Sequence, residues 1–364
     1  MVTLEIAGIQ YTGWTDVTIE RTMTDISGSF EFTMTDGFRE QEKPDISAGT
    51  LCRITDNGVV LKEGYIDRVT PTFDQSGISY TVTGRDRAAD LVDCGVNNST
   101  NEWKNINFQE IINNLVSPFG IQATFAVTSD RKFETVTWDD GTQVFEVIRK
   151  YAEKLQLLVY SGLAGQLIIN RVSTERAPIA LQEGENILSA NGASDMSNVF
   201  SEYIVIGDRQ STTNITNEEE ILAKQSVKDE TVGRYRPIVI IQEGATDSDI
   251  ALARARWEAT TRLALKEAYV VNVQGWYPDV NQLINLNSQT LGVNNKDMLI
   301  AGVELILSAA GKITRMKLVP PETFTPLPSS LITDEDIKSK YTGRSVDEVL
   351  DIIEQEERER AQNL

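Results

Sequence analysis

The feature that most constrains the fold is a change of hydrophobic period at Gly84. Before it, apolar and polar residues alternate: Val2, Leu4 and Ile6 with Thr3 and Glu5, then Phe30, Phe32 and Met34 with Glu31, Thr33 and Thr35. In "ISYTVTG" the same holds for Ile78, Tyr80 and Val82 against Ser79, Thr81 and Thr83. A period of two makes one face of a strand apolar and leaves the other wet. Asn57-Gly58, between "LCRIT" and "VVLKEGYI", marks a two-residue hairpin, because both central positions of such a turn favour positive φ. Short strands at this spacing predict a closed or nearly closed antiparallel barrel.

After Gly84 the period lengthens to about 3.6. Ala88, Ala89, Leu91 and Val92 predict a short helix, and Phe108, Ile111, Ile112, Leu115 and Val116 a second, stopped by Pro118 and Gly120. A third, in "TQVFEVIRKYAEKLQ", puts Val144, Ile148, Tyr151 and Leu155 on one face and leads into two apolar runs around the turn "SGLAG". From about Ile187 strands return, in "NVFSEYIVIGD", "RPIVIIQEG", "AYVVNVQGW", "DMLIAGVELIL" and "KITRMKLVPP". One helix, 247–267, interrupts them, with Ile250, Ala253, Trp257 and Ala264 at helical spacing and Arg254, Arg256 and Arg262 mostly elsewhere on its surface.

The chain then reads "ETFTPLPSSL", a Pro/Ser linker, and ends in an acidic stretch, 345–360, whose Val346, Val349, Leu350 and Ile353 form an apolar stripe. A helix so marginal alone is expected to dock on another surface, in this chain or a neighbour. The fold class is therefore α+β, mainly β: two barrel-like antiparallel domains, 1–95 and 176–325, flank a small α+β domain, 96–175, and a helical tail, 326–364, follows.

With 364 residues, two or three domains are expected. No apolar run reaches the roughly 18 residues of a membrane span, and "MVTLEIAGIQ" resembles no signal peptide, so the expected site of folding is a cytosol. A net charge of −20 argues against tight nucleic-acid binding, which needs cations to displace counterions from phosphates. The chain has no histidine, which excludes Ser-His-Asp and Cys-His catalysis, His-ligated zinc and His general bases. Cys52 and Cys94 match no metal spacing and are expected to be two buried, reduced thiols.

What chemistry remains rests on carboxylates. Glu134, Asp139 and Asp140, close to Trp138, could form a glycosidase-like pair beside a sugar platform, but Asp-Asp-Gly-Thr before an apolar helical run also reads as a capping turn. Asp86, Asp90 and Asp93 could collect a divalent cation, although Arg85 and Arg87 balance their charge more simply. The capping turn and the ion-pair cluster are the favoured readings, and no catalytic, cofactor or metal residue is assigned. "SGLAG" lacks the Lys-Ser/Thr of a phosphate loop.

"GRDRAADLVDC" followed by "FQEIINNLVSPFGI" resembles the baseplate hub protein of Mu-like contractile-tailed phages and prophages, the late-control tail protein family. The likeness continues in order through "QVFEVIRKYAEKLQLLVYSGLAGQLIINR", "EGENILSANGASDMSNVFSEYIVIGD", "RYRPIVIIQEGATDSDIALARARWEA" and "VNVQGW", over roughly residues 1–325. It departs after "GWYPDVNQL", where "INLNSQTLGVNN" replaces a more regular Gly- and Trp-containing continuation. The resemblance implies a non-enzymatic homotrimer whose chains each give two barrel-like domains to a pseudo-sixfold ring. That ring would join the tail tube to the central spike, contact other baseplate proteins and let DNA pass without specific binding or membrane insertion. It would sit in the virion tail after assembly in the bacterial host cytoplasm. Gly84, Arg85, Asp86, Arg87 and Asp90 would form the structural corner where the first barrel meets the α+β domain. The alternatives are the spike base of a related secretion or injection apparatus and, from another class, a carboxylate-based tail peptidoglycan hydrolase.

Overall fold

A computed structural model of the chain describes residues 1–35, 46–74, 77–129, 132–155, 157–207, 224–242, 248–277 and 279–324. The expected linker and acidic stretch, 326–364, lie outside the described residues. Seven strands come first: β1 (Val2–Ile6), β2 (Ile9–Tyr11), β3 (Asp16–Thr22), β4 (Ser29–Thr35), β5 (Leu51–Asp56), β6 (Val59–Asp74) and β7 (Gly77–Asp86). The alternating residues behave as the period of two requires. Leu4, Ile19, Phe30, Phe32, Ile54, Ile66 and Val82 fill one core, and the intervening polar residues face away. Asn57 and Gly58 sit at φ 50° and 83°, the left-handed pair that the β5–β6 hairpin needs.

The middle of the chain holds α1 (Ala89–Asp93), β8 (Glu102–Asn107), α2 (Phe108–Val116), β9 (Ala123–Phe125), β10 (Lys132–Thr137), α3 (Val144–Lys154), β11 (Leu158–Ser161) and β12 (Leu167–Asn170). Asn107 and Glu110 close a reciprocal capping box on α2, each side chain accepting the other's backbone N–H at 2.9 Å. The apolar faces of α2 and α3 then meet around Ile111, Ile112, Leu115, Ile148 and Tyr151.

The last part comprises β13 (Leu181–Gln182), β14 (Ile187–Ser194), β15 (Glu202–Gly207), β16 (Lys224–Lys228), β17 (Pro237–Gln242), α4 (Ser248–Leu265), β18 (Glu267–Gln274), β19 (Leu283–Ser288), β20 (Val293–Ser308) and β21 (Gly311–Val319). No described helix is long and apolar enough to cross a membrane.

The expected barrels are replaced by one open, mainly antiparallel sheet in the order β14-β18-β21-β20-β3-β4-β7-β6-β5-β1-β2, with β19 and β13 branching from β20. The reason is an edge already taken. Closing the first barrel would need the free edge of β3, and that edge instead carries β20, from Val17↔Leu307 to Thr22↔Gly302.

Two further expectations change. The buried face of α4 is Ala251, Ala255 and Glu258, with Ala264 at its end; of the expected Ile250, Ala253, Trp257 and Ala264 stripe, Ala253 and Trp257 are only half-buried, and the Ile250 side chain lies outside the described residues. Two alanines let the helix approach Tyr203 and Val205 closely, and Glu258 is buried because Arg254 and Arg262 each pair with it at 2.6 Å. Cys52 is buried, but Cys94 is exposed, because it ends α1 at the surface. Burial pushes the Cys52 thiol up to about 12. In the folded protein an alkylating reagent at neutral pH is therefore expected to label Cys94 and leave Cys52 until unfolding. Counting labelled thiols by mass spectrometry before and after denaturant checks this, and rapid double labelling of the native chain would contradict it.

Candidate functional site

Two regions of the fold hold the residues of functional interest, the junction after β7 and the open edges of the large sheet. At the junction, alternation carries Lys62 of β6 and Asp86 of β7 to the buried face, where Lys62 Nζ donates to Asp86 Oδ2 at 2.9 Å with both side chains at most 2% exposed. Lys62 also donates to the Glu20 carbonyl at 2.8 Å, and Ser161 Oγ donates to Asp86 Oδ2 at 2.9 Å. Arg21 Nε reaches the Ser161 carbonyl at 3.1 Å, so strands β3, β6 and β7 are tied to β11 through one polar knot. Asp86 Oδ1 is buried without a hydrogen-bond partner among the described residues. Burial pushes Asp86 up and Lys62 down, each towards its neutral form, and their mutual attraction opposes both shifts.

The neighbouring charges point elsewhere. Arg85 pairs with Asp93 at 2.7 Å and Asp67 at 2.9 Å on the opposite face of β7. These hydrogen bonds raise the Arg85 guanidinium and hold Asp93 below the usual carboxylate range. Arg87 binds Glu63 at 3.1 Å and the Gly120 carbonyl at 2.8 Å, reaching the end of α2. Asp90, on α1, is raised chiefly by burial and then by Asp93. Gly84 lies where a Cβ would come within 2.2 Å of the Tyr65 carbonyl and 2.3 Å of the Phe30 ring, so the backbone itself demands glycine.

Asp86, Asp90 and Asp93 thus do not converge, and no metal-binding group of carboxylates or cysteines occurs among the described residues. Glu134 is exposed on β10, and Asp140 accepts from Asn101 at 2.6 Å while the Asp139 carbonyl accepts from Thr142 N. Trp138 is buried edge-on against Trp103, with ring centroids 4.6 Å apart, and offers no platform for a sugar. Sequence reasoning missed Lys62, Arg21 and Ser161. For Lys62 a signal existed: it shares the parity of Ile66, so a strand that buries Ile66 buries Lys62 too.

The sheet contains a structural repeat that the sequence does not display. Strands β5, β6 and β7 run for 6, 16 and 10 residues, and β19, β20 and β21 for 6, 16 and 9. Each long strand is interrupted at the same step, β6 between Ile66 and Arg68 and β20 between Ile300 and Gly302. The outer neighbours match as well: β4 and β3 follow β7, and β18 and β14 follow β21. Beyond its bulge, β20 pairs with β3. Among the described residues, the equivalent part of β6, 68–74, has no strand on that side, and neither has the outer edge of β14. Pro71 lies in the middle of the first edge, withholding one donor from unwanted strand addition.

The sheet face away from the core forms an open cavity of about 430 Å³ lined by Glu20, Glu31, Asp67, Glu304 and Arg85, among others. Lys317 meets Glu20 at 3.0 Å and Arg315 meets Glu304 at 2.5 Å, so the carboxylates are only partly balanced.

Comparison with known proteins places relatives along most of the chain. Residues 1–86 match the family described as Mu phage baseplate assembly protein GpP-like, N-terminal, and residues 247–327 match its fourth domain. Residues 88–171 match baseplate hub protein gp44-like, second domain. Baseplate hub protein gp44 of Escherichia phage Mu is 29% identical over 340 residues, 89% of this chain and 88% of gp44. The crystal structure of the 43 kDa tail protein of prophage MuSo2 from Shewanella oneidensis has a TM-score of 0.79 at 28% identity, covering 89% of this chain and 99% of the other. A tail protein from Neisseria meningitidis MC58 shares the fold at 19% identity, with a TM-score of 0.72 over 89% of this chain and 98% of its own.

Proposed function

The chain belongs to the baseplate hub proteins of Mu-like phages, and from that premise we propose that it acts without catalysis, as a three-chain ring joining tail tube to spike. One observation carries the reading, the pairing of β3 with β20 between two like-built halves of one chain. The same pairing, made between chains, would set β14 of one copy against 68–74 of β6 in the next. Such a contact is head-to-tail, which closes into a ring when the rotation per copy is a third of a turn, and three copies with two halves each would then give a pseudo-sixfold collar.

The corner residues Gly84, Arg85, Asp86, Arg87 and Asp90 would keep the outer α+β unit at a set angle to that collar. This is compatible with a division at 1–95, 96–175, 176–325 and 326–364. One end of the collar would seat the central spike and the other the tube. The face bearing Glu20, Glu31, Asp67 and Glu304 would line the lumen, where like charge lets DNA slide without adhesion. The ring would work in the virion tail after assembly in the host cytoplasm.

Sedimentation equilibrium across protein concentrations tests the ring. A species near three times 40.5 kDa is expected, and single chains at every concentration, with the spike protein present as well as without it, would overturn it.

A further inference from the structure

Among the described residues, the three-stranded sheet β16-β15-β17 is covered on one face only. On that face Tyr203, Val205, Val227, Ile238 and Ile240 pack against α4. The other face is a small grid set by the strand register: Ile204 lies between Ser226 and Val239, and Ile206 between Lys224 and Ile241. Val239 and Ile241 are 57% and 68% exposed, which makes this a continuous apolar surface rather than scattered residues. Lys224 and Lys228, both exposed, edge it on the β16 side.

We propose that residues 345–360 of the same chain cover this face, with Val346, Val349, Leu350 and Ile353 on the isoleucines and valine and the acidic flank along the lysines. Three observations favour this occupant. Its apolar residues recur at helical spacing, and 16 helical residues measure about 24 Å against about 20 Å for a six-residue strand. Its Asp347, Asp351 and Glu354, which flank the apolar stripe on one side at helical spacing, complement Lys224 and Lys228. The described chain ends at Phe324 in a turn, Pro321–Phe324, that lies against α4. From there residues 325–344 have a root-mean-square reach of about 25 Å and a limit of about 66 Å, enough to pass around one helix-and-sheet layer. Tethering also raises the local concentration to the millimolar range, so a weak apolar contact holds.

Disulfide trapping in the full chain tests the assignment. In a Cys94→Ser background, Ile241→Cys is combined in separate chains with Val349→Cys or Ile353→Cys, and Arg256→Cys, on the exposed side of α4, serves as the control partner. Mild oxidation is expected to link position 241 to 349 or 353 within one chain, at least ten-fold faster than it links 256. Mixing tagged and untagged chains tells internal links from links between copies. Links found only between copies, equal rates at 241 and 256, or no link at all would each overturn the proposal. As a second measure, Val349→Lys with Ile353→Lys is expected to speed hydrogen exchange of the β17 amides about ten-fold, and unchanged exchange would count against it.

Discussion

If the chains join as the proposed three-chain ring, replacing Val69 and Phe73 together by proline is expected to leave single chains that each keep their fold. The direction of the amides is the reason. Ile66 N donates to the Thr50 carbonyl, on the β5 side of β6, and beyond the bulge Val69 returns to the core face that Ile66 occupies. Residues on one face of a strand send their N–H groups to the same side, so 69, 71 and 73 address the open edge and not β7. In the other half of the chain the corresponding residues, Val303, Leu305 and Leu307, lie opposite Arg21, Ile19 and Val17 of β3. Pro71 already withholds one of the three donors, and the double replacement removes the other two.

Each lost hydrogen bond is worth about 1 kcal/mol, and the proline ring also crowds an incoming strand. Because a ring closes only when every interface forms, the loss is multiplied over three contacts. Sedimentation at micromolar concentration should show one chain's mass with unchanged far-ultraviolet circular dichroism. An intact three-chain species would mean that the chains join through other surfaces.

Lys62→Met is expected to be the most costly single change to stability. It leaves Asp86, 1% exposed, with Ser161 as its only side-chain donor among the described residues. Removing one member of a buried pair costs about 3–5 kcal/mol, a large part of the roughly 5–15 kcal/mol that holds a domain together. Replacing both members, Lys62→Met with Asp86→Leu, should cost much less, since no buried charge is stranded. Acid should partly rescue the single variant. Asp86 is raised in the folded chain, so the folded state holds its proton more tightly than the unfolded state does. That contribution is fully present below the ordinary carboxyl range and is lost as pH rises through the raised value. Urea midpoints at pH 4 and pH 7 for wild type, single and double variants check each step. A single variant as stable as wild type would show that the pair is not a fastening.

The sequence by itself determined the local elements. Alternation marked β1, β4 and β7, Asn57-Gly58 placed a hairpin, and the 3.6 period with Pro118 and Gly120 bounded α2, because each signal comes from residues near one another in the chain. Likeness to a family was legible on the same terms, in the order of short motifs. Parity could also have marked Lys62 as inward, but nothing local says that its partners are the Glu20 carbonyl and Asp86, or that Ser161 joins them by donating to Asp86.

Tertiary structure alone decided which edges meet. An exposed edge looks the same in sequence whether it closes a barrel or receives a strand nearly three hundred residues away, so β20 on β3 could not be read from periodicity. It also decided the face of α4, where two alanines and a paired glutamate outcompete larger apolar residues for the space against β15. The exposure of Cys94 was settled in the same way, by where α1 ends relative to its neighbours. Periodicity reports which side of an element is apolar, whereas packing of distant elements decides what that side touches.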